Sequence, residues 1–73
     1  GYAARRDILA RAGQLSDRER EIARCVSKGM TNRAIAEALH IAVRTVEVHR
    51  ARVVEKMGAA NSAELAALWQ RID

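Results

Sequence analysis

A chain of 73 residues, 49% hydrophobic and 30% charged, has the balance of one small globular domain and not of a disordered tail. With no Pro or Phe and a single Trp and Tyr, it disfavours a β-sandwich, while abundant Ala favours short helices packed through small side chains. The net charge of +4 points loosely to a polyanionic partner, and no uncharged apolar run approaches the roughly 18 residues of a membrane span.

Residues 1–14 are expected to be a linker, or a short helix over 2–13 with Ile8, Leu9 and Ala12 on one side and Gly13 as its stop. They hold no continuous apolar stretch, so no signal peptide is expected. Cys25 has no partner for an internal disulfide, which makes a reducing cytoplasm the expected compartment.

A domain is expected over residues 15–73. Its first helix opens at a capping box, in which Ser16 accepts from the N–H near Glu19 and Glu19 reaches back. Ile22 and Val26, flanked by Ala23 and Cys25, form its buried stripe, and Gly29 is its stop. Thr31 caps a second helix, Asn32 to Leu39, with Ile35, Ala36 and Leu39 inward. A break at His40-Ile41-Ala42 precedes a third helix from Val43 to about Met57, which Gly58 stops. Asn61 with Glu64 makes another capping box and opens a last helix through about Ile72. Its inward residues are Leu65, Leu68, Trp69 and Ile72, leaving Ala63, Ala67 and Gln70 outside. The expected fold is all-α, a compact four-helix domain with an N-terminal linker or helix.

A short helix, a tight turn and a longer helix make up a helix-turn-helix unit, whose second helix enters the major groove of DNA. On a wheel centred on Val46, Val53 and Met57 fall within about 20° and Val43 within about 60° of the buried direction. Arg44, Val48, Ala51, Arg52 and Glu55 point outward, with Thr45, Glu47 and Lys56 on the shoulders. Small apolar groups between guanidiniums suit thymine methyls, guanine edges and phosphates better than they suit bare solvent. Arg50 and His49 lie nearer the buried side, which makes Arg50 a snorkelling structural residue and His49 a packing one.

Three stretches carry a resemblance: L-S-x-R-E-x-E-I from Leu15, G-x-T-N-x-x-I-A from Gly29, and T-V-x-x-H-x-x-x-V-x-x-K-M from Thr45. Over about residues 15–72 the chain resembles the LuxR/FixJ family of DNA-binding domains, the output domains of many bacterial response regulators. The resemblance implies sequence-specific binding of double-stranded promoter DNA for transcription regulation, as a weak homodimer favoured on DNA and paired through the last helix. It also implies a receiver domain ahead of residues 1–14 and RNA polymerase as a partner. The family usually has Gly or Asp at His40, Ser at Ala42 and often Pro at Val43, so the turn is where this sequence departs.

Thr31 and Asn32 match the family's phosphate-contacting helix start, where free N–H groups and the helix dipole favour an anion. Arg33, Thr45, Arg52 and Lys56 complete the DNA-backbone candidates. Arg44, Glu47, Val48 and Ala51 are the base-facing ones, with Glu47 placed to accept from a cytosine amine or to repel wrong sequences. Ala63, Ala67 and Gln70 are the dimer-contact candidates. The competing readings are a helical protein-interaction module and a promoter-reading domain like that of a sigma factor. An enzyme is not expected, and neither is a metal or cofactor. His40 and His49 are nine residues apart, Cys25 sits on a core stripe, and no ligand cluster or phosphate-cradling Gly loop appears.

Overall fold

In the computed structural model the described residues are 4–73. The chain forms five helices in the order α1 (Arg5–Ala12), α2 (Asp17–Ser27), α3 (Asn32–Leu39), α4 (Val43–Met57) and α5 (Ser62–Gln70), with no strand among the described residues. The four-helix domain expected from the sequence is therefore extended by one packed N-terminal helix. Residues 2 and 3 of the expected first helix lie outside the described residues.

Each boundary has a local cause. At α2 the capping box closes in both directions: Ser16 Oγ accepts the Glu19 N–H at 3.1 Å, and Glu19 Oε1 accepts the Ser16 N–H at 2.9 Å. Thr31 Oγ1 accepts the Ala34 N–H at 3.1 Å and opens α3. At α5 only half of the expected box forms, with Asn61 Oδ1 accepting the Glu64 N–H at 2.9 Å. Gly58 ends α4 in the left-handed conformation, φ 67°, where a Cβ would also stand 3.2 Å from Arg11 Nη1. No Gly or Pro stops α5, which loosens into a turn after Gln70, two residues short of Ile72.

The core gathers one stripe from each helix. Ile8 and Ala12 come from α1, Ile22, Ala23 and Val26 from α2, and Ile35 and Ala36 from α3. Val46, Val53 and Met57 come from α4, and Leu65, Leu68 and Trp69 from α5. Helix α2 is central, packing on both α4 and α5, while α3 and α1 each pack on α4. Burying a side chain such as Ile22 completely is worth about 1.5–3 kcal/mol, so several such residues can support a domain of this size without a disulfide.

Within the segment expected as a linker, α1 buries Ile8 completely and docks on the far end of α4. Arg11 Nη1 donates to the Met57 carbonyl at 3.0 Å, satisfying an acceptor left open by the end of α4. Arg20 Nη2 donates to the Ala12 carbonyl at 3.0 Å and ties the end of α1 to α2.

Two inward assignments are corrected. Leu9 and Val43, placed on or near the buried side by periodicity, are each 41% exposed. A helical wheel gives direction around the axis but not whether a neighbour reaches that height. Val43 is the first residue of α4, a turn before Val46, and Leu9 sits on a helix whose packing is carried by Ile8 and Ala12.

Candidate nucleic-acid interface

The turn between α3 and α4 sets the direction of the outward-facing helix. His40 adopts the left-handed conformation (φ 57°, ψ 45°), a position that Gly fills more easily. Its N–H and that of Ile41 both turn back to the Ala36 carbonyl, the latter at 3.0 Å, which caps α3 and reverses the chain. Ile41 packs against the core, so the turn is held from beneath. Ala42 is the N-cap of α4 with extended backbone and no side-chain cap bond, as expected from its missing hydroxyl.

Helix α4 then presents two faces. Val46, Val53 and Met57 are fully buried. Arg44, Glu47, Val48, Ala51, Arg52 and Glu55 are exposed, so the four base-facing candidates share one open face. Arg44 Nη1 lies 3.5 Å from Glu47 Oε2, one helical turn along that face. Both side chains are largely solvated, so this pair contributes little stability and can re-form around a ligand. Thr45 is half-buried on the shoulder.

The start of α3 supplies a second element. With Thr31 Oγ1 committed to Ala34, the N–H groups of Asn32 and Arg33 precede the first intrahelical bond and have no partner inside the helix. The Arg33 side chain extends into solvent with only a long 3.8 Å contact to Glu37. Of the backbone candidates, Arg33 and Arg52 are open cations. Lys56 is engaged: its Nζ lies 2.7 Å from Glu19 Oε1, and with Arg52 and Glu55 this pair lines a shallow open depression. Glu19 is 3% exposed, and the Lys56 ammonium together with the Ser16 N–H holds its carboxyl below the usual value of 4.5 despite burial.

Two contacts of α4 could not be read from the sequence. Arg50 Nη1 donates to Asn32 Oδ1 at 2.7 Å, and Arg50 Nε donates to Ser62 Oγ at 2.8 Å. The expected snorkelling residue thus joins the first residues of α3 and α5 to α4. His49 lies half-buried, its Nδ1 enclosed and without a hydrogen-bond partner among the described residues. At the dimer-contact candidates, Ala63 and Ala67 are exposed, while Gln70 Nε2 makes a long 3.4 Å contact to the Ser27 carbonyl. No helix among the described residues is long and apolar enough to cross a membrane.

The family described as bacterial regulatory proteins, luxR family, matches residues 13–69. The chain belongs to that family. It is 56% identical over 69 residues to the tetrathionate response regulatory protein TtrR of Salmonella typhimurium, covering 94% of this chain and 34% of TtrR. It is 52% identical over 63 residues to the C4-dicarboxylate transport transcriptional regulatory protein DctR of Rhodobacter capsulatus, covering 86% of this chain and 32% of DctR. Among solved structures, full-length FixJ from B. japonicum superposes with a TM-score of 0.83 at 42% identity, over 92% of this chain and 33% of FixJ. The chain thus spans about a third of the length of these relatives. It is a LuxR-type DNA-binding domain, which favours the transcriptional reading over the interaction-module and sigma-factor ones.

Proposed function

We propose that this chain is the output domain of a two-component response regulator and reads promoter DNA by laying α4 in the major groove. The carrying observation is the exposed face of α4, where Val48 and Ala51 lie beside Arg44 and Arg52 on a helix whose opposite face is fully buried. Val48 and Ala51 meet thymine methyls, Arg44 reaches a guanine edge, and Glu47 accepts from a cytosine amine or repels a mismatched acceptor. Thr31, Asn32, Arg33, Thr45, Arg52 and Lys56 contact the flanking phosphates and fix the register without reading sequence. Lys56 keeps Glu19 as its partner and reaches the phosphates from that anchored position.

Two copies load side by side through Ala63, Ala67 and Gln70 of α5. One such face buries only a few hundred Å², below the roughly 1,000 Å² of a stable interface, so pairing is weak off DNA and favoured on it. A receiver domain ahead of α1 would supply the input, RNA polymerase is the downstream partner, and the cytoplasm is the compartment. Selection of bound duplexes from a random pool tests this reading. It should return a motif of two half-sites about one helical turn apart, and recovery of no motif would contradict sequence-specific binding.

A further inference from the structure

Arg50 does more than fill a shoulder of α4. Its guanidinium meets the first residue of α3 through Asn32 Oδ1 at 2.7 Å and the first residue of α5 through Ser62 Oγ at 2.8 Å. Both are helix N-termini, where the partial positive charge of the dipole disfavours a cation. A purely structural joint here would be better made by a neutral or acidic group. The position becomes favourable when an anion lies beside it.

The Asn32 bond also decides which way that amide faces. An Asn side chain offers an oxygen that only accepts and a nitrogen that only donates. A guanidinium can bond only the oxygen, so Arg50 holds Oδ1 toward itself and leaves Nδ2 as the donor, with no partner among the described residues. Nδ2 belongs to the same residue whose backbone N–H is open at the start of α3.

We infer that Arg50 is a positioning residue for DNA binding, orienting Asn32 so that its Nδ2 and backbone N–H together donate to one phosphate of the duplex. This rests on the DNA-binding reading above. With Arg50 gone, the amide is free to rotate, and its Nδ2 is no longer held ready for the phosphate. Ser62 takes no part in that contact and only braces the guanidinium.

The test is duplex binding by this 73-residue chain, followed by fluorescence anisotropy on a labelled random-sequence duplex, with thermal unfolding of every variant. Arg50→Met and Asn32→Ala should each weaken binding roughly ten- to a hundredfold, the scale of one hydrogen bond to a charged group. The double variant should lose no more than either single one, because both remove the same contact. Ser62→Ala should bind within about twofold of the parent even if its melting temperature falls, since Arg50 keeps its bond to Asn32 when the charge-assisted bond from Nε to Ser62 is lost. Asn32→Asp keeps an acceptor for Arg50 and suits the helix start, so it should unfold no earlier than the parent, yet bind worse than Asn32→Ala. Asn32→Asp binding as well as Asn32→Ala would overturn the phosphate contact at this residue. Losses that multiply in the double variant, or parent-like binding by Arg50→Met, would overturn the inference while the parent still binds. A parent that binds no duplex would overturn the DNA reading and this inference with it.

Discussion

Lys56 Nζ stands 2.7 Å from Glu19 Oε1, the same oxygen that accepts the Ser16 N–H at 2.9 Å, so a side chain of α4 closes the capping box that starts α2. The two helices are fixed to one another at a nearly buried carboxylate, and α4 inherits the rigidity of the core.

Because folding lowers the Glu19 pKa, chiefly through Lys56 and the Ser16 N–H, its stabilisation is full above the ordinary value of 4.5 and disappears as pH falls through the lowered folded value. Glu19→Gln should cost about 1–2 kcal/mol at neutral pH by weakening these charge-assisted bonds. Urea unfolding across the acid range checks it. The gap between parent and variant should close as the parent carboxylate is protonated, and a gap independent of pH would contradict the assignment.

Val48→Ala and Arg44→Ala should change sequence preference, Arg44→Ala by about 1–3 kcal/mol at the base pair it meets. Lys56→Ala should weaken all duplexes about equally and, because it also strips Glu19 of its partner, lower stability. Competition binding on a selected site and its single-base variants separates the cases. A uniform loss for Val48→Ala would mean that α4 is rotated differently in the groove.

Ala42→Ser supplies the missing cap of α4 on a backbone already extended at φ −71°, ψ 148°. The gain should be about 0.5–1.5 kcal/mol, visible in thermal or urea unfolding. An unchanged midpoint would show that the free N–H groups at this helix start are equally well satisfied by water.

Ala67→Glu places two like charges in the proposed α5 contact and should abolish cooperative loading of paired half-sites while leaving single half-sites nearly unaffected. Titration of one- and two-site duplexes distinguishes these. Undiminished cooperativity would move the pairing surface away from Ala63 and Ala67.

The helix boundaries were legible where a capping residue, a turn or a glycine marked one end. Thr31 and the turn at His40 bound α3 at Asn32–Leu39, and Gly58 bounds α4 at Val43–Met57, both as the sequence predicts. The left-handed turn at His40 and the uncapped start at Ala42 fall where the sequence departs from the Gly or Asp and the Ser usual in the family. Leu9 and Val43 were misplaced because periodicity reports angle and not cover. The joints at the candidate site were invisible for a different reason. Glu19 and Lys56 are 37 residues apart, and Arg50 meets Asn32 across 18 residues, separations at which no local pattern links two side chains. The outward direction of Arg44, Glu47, Val48 and Ala51 could be read from one helix alone, whereas the tether on Lys56 required two helices packed together and the bridge made by Arg50 three.

The central claim, that α4 and the start of α3 bind duplex DNA through its phosphates, is tested most directly by the salt dependence of binding to a random duplex. About four to five phosphate contacts per monomer, at about 0.9 released counterions each, predict that log K falls against log salt with a slope of roughly −3 to −5. A slope near zero between low and moderate salt would contradict it.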